Sequence, residues 1–267
     1  MSEQVIQIEQ HGGVRLLRLN RPEALNAFTT GMLGQLRQAL DAAADDAGTR
    51  CVLLTGAGRA FSAGQDLADP QVAPSRDPAA APKDIGLMLE HHYIPLALRL
   101  RSMPVPVVAA VNGVAAGAGA SLALGCDLVL AGESASFIQA FSKIGLIPDC
   151  GGTWLLPRLV GRAKALEMAL LGEKLKAADA AALGLISRVL PDAELADAAL
   201  AVARKLAGMP TRALAETRRA MDEALRLDFD AALRREAVLQ SQLGFSHDYL
   251  EGTAAFLDKR PPEFKDR

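Results

Sequence analysis

An α/β core followed by an all-helical tail is the architecture this sequence predicts. Three observations carry it. Short apolar runs bounded by glycine and proline alternate with helical stretches about three times in the first two thirds of the chain. Two small-residue loops, FSAGQD (61–66) and GVAAGAGAS (113–121), each follow such a run. From about residue 192 the strand signals cease and consecutive helical patterns run to the end. The division read from this is 1–195 for the core and 196–267 for a helical appendage of the lid or subunit-contact kind.

Taken in order, VIQIE (5–9) and VRLLRLN (14–20) read as strands joined through QHGG, a hairpin signal. RPEALNAF (21–28) reads as a loop. Thr29 or Thr30 then caps a helix in which Met32, Leu33, Leu36, Ala39 and Leu40 recur at helical spacing. CVLLTG (51–56) is a short buried strand, and AGRAFSAGQDL (57–67) a loop of small residues. Residues 68–84, rich in Pro, Ala and Asp, read as a mobile surface loop. A helix is expected over 85–102, a strand opened by prolines over 104–111, a small-residue helix after Asn112, and a strand over 128–132.

Composition narrows the function classes. The net charge is -2 and aromatics make up 4%, which argues against a phosphate-neutralising or base-stacking surface, so no nucleic acid is expected. No apolar run reaches the length of a membrane span, and the first residues carry no secretory signal pattern. Three cysteines (51, 126 and 150) without a CxxC pair fit reduced thiols and a cytoplasmic setting. His11 and His247 lack partner spacing, so no metal is expected.

Two features carry chemistry. The small-residue loops bring backbone close to something. Unpaired N–H groups at a helix start could converge there on an oxyanion, and tight helix–strand packing explains the same composition. The second feature is Asp149 in IGLIPDCGGTW (144–154). Asp149 reads either as the cap of a helix starting at Cys150 or as an acid/base whose charged form is disfavoured by Ile144, Leu146, Ile147 and Pro148. Cys150 and Trp154 read as packing residues. One of His91 and His92 is expected to face solvent.

RAFSAGQDL (59–67), AVNGVAAGAGASLALGCDLVLA (110–131), FSKIGLIPDCGGTWLLPRLVG (141–161) and KAADAAALGLISRVL (176–190) resemble the crotonase (enoyl-CoA hydratase/isomerase) superfamily. The resemblance runs over roughly residues 5–260. It implies a ββα spiral core, a C-terminal helical trimerisation region giving a trimer or a dimer of trimers, and acyl-CoA thioester substrates. Coenzyme A would be part of the substrate, with no separate cofactor. It implies an oxyanion hole from the backbone N–H groups of Ala63 and Ala118, the latter flanked by Gly117 and Gly119. It places Ser121 and Phe141 where hydratases of the family carry two glutamates, which puts hydration in doubt. Isomerases of the family carry a carboxylate aligned with Asp149, which implies a single acid/base that moves a double bond through a dienolate.

Further roles follow from the same resemblance. Ala24 and Arg21 would meet the nucleotide, and Lys259 in FLDKRPPEF (256–264) would approach it, often from a neighbouring subunit. Asp66 is expected to satisfy loop N–H groups beside Ala63 and Gly64, and Leu67 to face the acyl pocket. FSKIGLIPDCGGTWLLPR with FSAGQDL is similar to the isomerases of phenylacetate degradation. That similarity implies conversion of 1,2-epoxyphenylacetyl-CoA to its oxepin form, together with Δ3/Δ2-enoyl-CoA isomerisation. The alternatives are a general fatty-acid Δ3,Δ2-enoyl-CoA isomerase, an enzyme like 4-chlorobenzoyl-CoA dehalogenase, and a non-catalytic acyl-CoA-binding protein.

Overall fold

The computed structural model describes residues 4–75, 77, 79 and 81–267. Strands β1 (Ile6–His11) and β2 (Val14–Leu19) form the expected hairpin, paired antiparallel from Ile6↔Leu19 to His11↔Val14. Gly12 turns it with φ +62, a conformation that costs glycine little. Helix α1 (Thr30–Asp45) opens on Thr29, whose hydroxyl accepts from Met32 N–H at 3.2 Å. Its apolar stripe from Met32 to Ala44 is buried, as the spacing predicted.

The core winds as a repeated strand–strand–helix unit. The first comprises β3 (Cys51–Gly56) and β4 (Ala60–Ser62), then α2 (Ile85–Met88), one wide π-type turn and α3 (Ile94–Arg101). The second comprises β5 (Val107–Val111), β6 (Val114–Ala116) and α4 (Ala118–Leu124). The third comprises β7 (Leu128–Gly132), β8 (Ser136–Ile138) and α5 (Gly152–Leu171), which breaks at Gly161. β9 (Lys174–Lys176), α6 (Ala177–Ala182) and β10 (Arg188–Leu190) close the core.

Each unit sends its first strand to a large sheet, ordered β1-β2-β3-β5-β7-β10, and its second to a small one, ordered β4-β6-β8-β9. β4, β6 and β8 run parallel, so their carboxyl ends lie side by side. The small sheet was not expected from the sequence. Ala60–Ser62, read there as loop, is its first strand.

The large sheet has an apolar layer on each face, as strand alternation requires. Leu17, Leu19, Val52, Leu54, Val107, Ala109 and Val111 join the core with α1 and α4. Val14, Leu16, Leu53, Val108, Ala110 and Leu130 meet Leu195, Ala199, Ala203 and Ala207 of α7 (Leu195–Ala207). The boundary expected near residue 195 therefore does not separate α7 from the core. Burying a leucine such as Leu195 stabilises the fold by about 1.5–3 kcal/mol.

The exposed helical faces come later, on α8 (Thr211–Ala224), α9 (Phe229–Gly244) and α10 (His247–Leu257). There Met221, Phe229, Phe245 and Phe256 are all more than 60% exposed. α8 is tied back by Arg218, whose Nη1 donates to both Asp127 carboxylate oxygens, at 3.1 and 2.8 Å.

The mobile-loop expectation for 68–84 falls partly on residues 76, 78 and 80, outside the described residues. Its start is fixed. Asp69, 4% exposed, accepts from Thr30 N–H at 2.8 Å and from Gln71 N–H at 2.8 Å. Among the described residues no helix is long and apolar enough to cross a membrane.

Candidate active site

Asp149 stands where the third winding turns from β8 into α5. A short 3-10 helix (Ala140–Ile144) ends on Gly145, and Leu146 N–H bonds back to Phe141 O at 3.0 Å. Cys150 (φ 50) and Gly151 (φ 87) then reverse the chain in the left-handed region. A non-glycine residue there costs about 1–2 kcal/mol, an expense that recurs at functional turns.

The helix cap is Gly151, and no side chain caps α5. Asp149 contributes only its backbone carbonyl, which accepts from Gly152 N–H at 2.8 Å. Its Oδ1 is buried without a hydrogen-bond partner. The cap reading is thereby excluded. Burial pushes the Asp149 carboxyl from 3.8 up to about 7, against a small opposing effect of its own backbone N–H.

The source of that burial differs from the expectation. Ile144, Leu146 and Ile147 are 52%, 42% and 75% exposed, so the apolar run leading to Asp149 does not shield it. Tyr93, 2% exposed, lies within electrostatic reach: burial, then the Asp149 charge, raises its phenol well above the ordinary value. Burial and the same charge also push the Cys150 thiol up, so its place near a helix start does not activate it.

The two small-residue loops do meet. A side chain on Gly64 (φ +89) would lie 2.7 Å from Ala116 O and 3.5 Å from Ala118 N. One on Gly119 would lie 2.7 Å from Ser62 O, so Gly119 serves the close packing of α4 on β4. Gly117 (φ +52) faces the Phe141 ring, whose Cζ is 3.6 Å from its Cβ position. Phe141 is 7% exposed and walls this corner.

Ala118, the first residue of α4, has no acceptor for its N–H among the described residues. Ala63 is a correction. Its N–H already donates to Leu25 O at 2.9 Å and is not open to a ligand. The unpaired donor of that loop is Gln65. A parallel bridge to Phe28 holds Gly64 O on Phe28 N–H (2.7 Å) and Asp66 N–H on Phe28 O (2.9 Å). This turns the Gln65 N–H to the opposite side, where it has no acceptor among the described residues. Tyr93 Oη fixes the same residue by donating to Gln65 Oε1 at 2.7 Å.

Other expected roles shift. Asp66 accepts from Ala68 N–H (3.0 Å) and from Arg21 Nη1 (3.0 Å), not from the N–H groups of Ala63 or Gly64. Arg21 Nη1 also donates to Ala27 O at 2.6 Å, so this guanidinium braces the loop and its charge is already paired. Ala24 sits on a short 3-10 turn, its N–H on Arg21 O and its carbonyl accepting from Ala27 N–H. Leu67 is 54% exposed rather than enclosed. Lys259 is exposed beyond α10 with φ 55. Trp154 is not core: the guanidinium carbons of Arg101 and Arg158 lie over its ring at 4.2 and 4.1 Å. His91 is exposed, as expected for one of the pair.

Behind the turn, Ser121 and Gln139 are 0% and 1% exposed. Ser121 Oγ and both amide atoms of Gln139 lack protein partners. Among the described residues His247, Asp248 and Asp266 bring ligand atoms within 4.8 Å of one another. They lie on α10 and the tail, and the Asp248 carboxylate there already accepts from Lys265 N–H at 2.6 Å.

The family described as enoyl-CoA hydratase/isomerase matches residues 9–267. The chain belongs to the enoyl-CoA hydratase/isomerase family. It is 52% identical to the 1,2-epoxyphenylacetyl-CoA isomerase of Escherichia coli (strain K12), over 94% of this chain and 95% of the relative. It is 39% identical to the 2,3-dehydroadipyl-CoA hydratase of the same organism, over the whole of both. Among solved structures, the enoyl-CoA hydratase of Mycobacterium smegmatis superposes with a TM-score of 0.88 at 33% identity, covering 98% of this chain and 99% of that one. The Bacillus anthracis enoyl-CoA hydratase gives 0.89 at 31% identity, over 99% and 100%. The fold of this family member is thus the crotonase fold, and the chain is an enzyme of that family.

Proposed function

We propose that this family member is an acyl-CoA isomerase that moves one proton between the α and γ carbons of a coenzyme A thioester, using Asp149 as its only acid/base. The observation that carries the reading is the buried, unpartnered Asp149 Oδ1 with a carboxyl raised to about 7. Such a group is half ionised near neutral pH and can both take and return a proton.

The thioester carbonyl is received by the N–H groups of Gln65 and Ala118, which stabilise the enolate formed when Asp149 removes the α proton. The proton then returns to the γ carbon and the double bond moves into conjugation. Atoms balance without a cofactor, and coenzyme A arrives as part of the substrate. Each oxyanion donor of this kind is worth about 10²–10³ in turnover.

The substrate we assign first is 1,2-epoxyphenylacetyl-CoA. Its three-membered ring opens to the seven-membered oxepin, and the same α-to-γ proton shift completes the product. Linear 3-enoyl-CoA follows the identical shift. The 52% identical isomerase supports this choice. Hydration, the activity named for other relatives, needs one group to deprotonate water while another protonates carbon. The family resemblance implies that Ser121 and Phe141 take the two positions where hydratases carry glutamates, and neither side chain is an acid. We assign the protein to the cytoplasm, and the exposed apolar faces of α8–α10 to a trimer or a dimer of trimers in which Lys259 approaches a nucleotide.

The test is turnover of both thioesters by wild type and by Asp149→Asn. The expected result is loss of both isomerisations, by at least about 10²-fold, with acyl-CoA binding retained. Wild-type-like turnover by the variant would remove Asp149 from the mechanism.

A further inference from the structure

We infer that Tyr93 is a positioning residue for the donor on Gln65: its hydroxyl holds the Gln65 side chain and its ring braces Phe28, so that the free Gln65 N–H stays fixed beside the start of α4. The inference rests on the isomerase reading and deepens it.

The two proposed carbonyl-binding donors are held in different ways. Ala118 N–H belongs to the first residue of α4, and the helix itself sets its direction. Gln65 lies outside both sheets, on an isolated bridge to Phe28. The direction of its N–H therefore depends on Phe28 and on what holds the Gln65 side chain. Tyr93 meets both. Its Oη donates to Gln65 Oε1 at 2.7 Å, and its ring stands edge-on to the Phe28 ring, with centroids 6.5 Å apart at 68°. Phe28 is the residue whose N–H and carbonyl hold Gly64 and Asp66 on either side of Gln65. The other end of the Gln65 amide is fixed as well, since Nε2 donates to Asp66 O at 3.1 Å.

Tyr93 is a firm anchor. It is 2% exposed and closes the wide π-type turn (Leu89–Tyr93) that leads into α3. Wide turns of this kind recur at functional sites. A buried phenol needs a polar partner, and Gln65 Oε1 supplies it. Burial first and the Asp149 charge next keep the phenol protonated, so it acts as a donor. Oxyanion donors work only within a narrow range of distance, and a misplacement of about 1 Å can cost about 10²-fold in rate. The enolate oxygen demands that alignment more than the bound thioester does, so loosening Gln65 should fall on kcat and spare KM.

The experiment has a kinetic and a spectroscopic arm, with circular dichroism to verify folding. Kinetics compare wild type, Tyr93→Phe, Gln65→Met and the double variant on a linear 3-enoyl-CoA. Tyr93→Phe keeps the ring and removes the hydroxyl; its kcat is expected to fall about 10-fold with KM changed less than about 2-fold. Because Tyr93 acts through Gln65, the double variant should fall no further than the lower single variant. Losses that multiply, or a Tyr93→Phe loss confined to KM, would overturn the inference. The spectroscopic arm uses cinnamoyl-CoA, a conjugated thioester with no proton on its γ carbon and hence inert to isomerisation. Donors gripping its carbonyl shift its absorption to longer wavelength on binding. Wild type should show that shift and Tyr93→Phe less than about half of it; an equal shift in both would overturn the inference while leaving the isomerase reading intact. No shift in wild type would sink the donor pair and this inference together. Turnover surviving in Asp149→Asn would sink the single-acid reading, and the cinnamoyl-CoA shift would still judge Tyr93.

Discussion

Replacing Asp149 by asparagine should stabilise the folded protein, and by an amount that grows with pH. The carboxyl is raised from 3.8 to about 7 by burial, a difference of about 3 units. At about 1.36 kcal/mol per unit, ionised Asp149 costs the fold about 4 kcal/mol at full effect. The sign follows from proton uptake. Below about pH 3.8 the acid is neutral in both states and the cost is absent. Between that point and about 7 the folded state keeps a proton that the unfolded chain has released, so stability falls as pH rises. Above about 7 the cost is complete. Asparagine carries no charge in either state, so the advantage of Asp149→Asn over wild type should rise by about 2–3 kcal/mol per chain from pH 5 to pH 8. Urea denaturation of both proteins at the two pH values measures it, and any constant effect of the amide cancels in the difference. An advantage equal at pH 5 and pH 8 would mean that the carboxylate is well solvated, and would refute both the pKa and the catalytic argument built on it.

Other outcomes follow from the same geometry. The kcat/KM of the wild type should rise with pH through a single limb near 7, since the proposed base is the ionised form of Asp149, and a pH–rate profile checks this. Gly64→Ala should cost about 1–3 kcal/mol in urea denaturation and lower kcat, because its φ of +89 and the Ala116 carbonyl at 2.7 Å leave no room for a methyl group. Asp69→Ala should destabilise the fold by about 1.5–3 kcal/mol by stripping acceptors from Thr30 and Gln71. Burial raises the Asp69 carboxyl, but those bonds outweigh it and lower the net value, so its contribution should vanish as pH falls into the acid range.

Much of this was legible in the sequence because period and punctuation are local signals. The hairpin, the Thr29-capped helix and the buried strands at 51–56 and 128–132 all declared themselves. The small sheet did not. Ala60–Ser62, Val114–Ala116 and Ser136–Ile138 are three residues each, too short for alternation to register. The unpaired N–H of the FSAGQD loop was misplaced by two residues for a related reason. Which N–H groups of the FSAGQD loop are free depends on partners far along the chain, Leu25 for Ala63 and Phe28 for the residues flanking Gln65. Asp149 was singled out from sequence, yet cap and acid look alike there. Only the absence of a side-chain bond to the start of α5 separates them. The Trp154 error has the same origin, since stacking between two arginines is invisible to hydropathy.

Gln65 follows β4, Ala118 follows β6 and Asp149 follows β8, so each coil of the spiral delivers one component at the same end of the small sheet. On the proposed function, gripping the carbonyl and handling the proton fall to separate coils of one chain. Rewriting the third coil alone could exchange one proton chemistry for another while the first two went on holding the same thioester, which gives a single scaffold a direct route to several reactions.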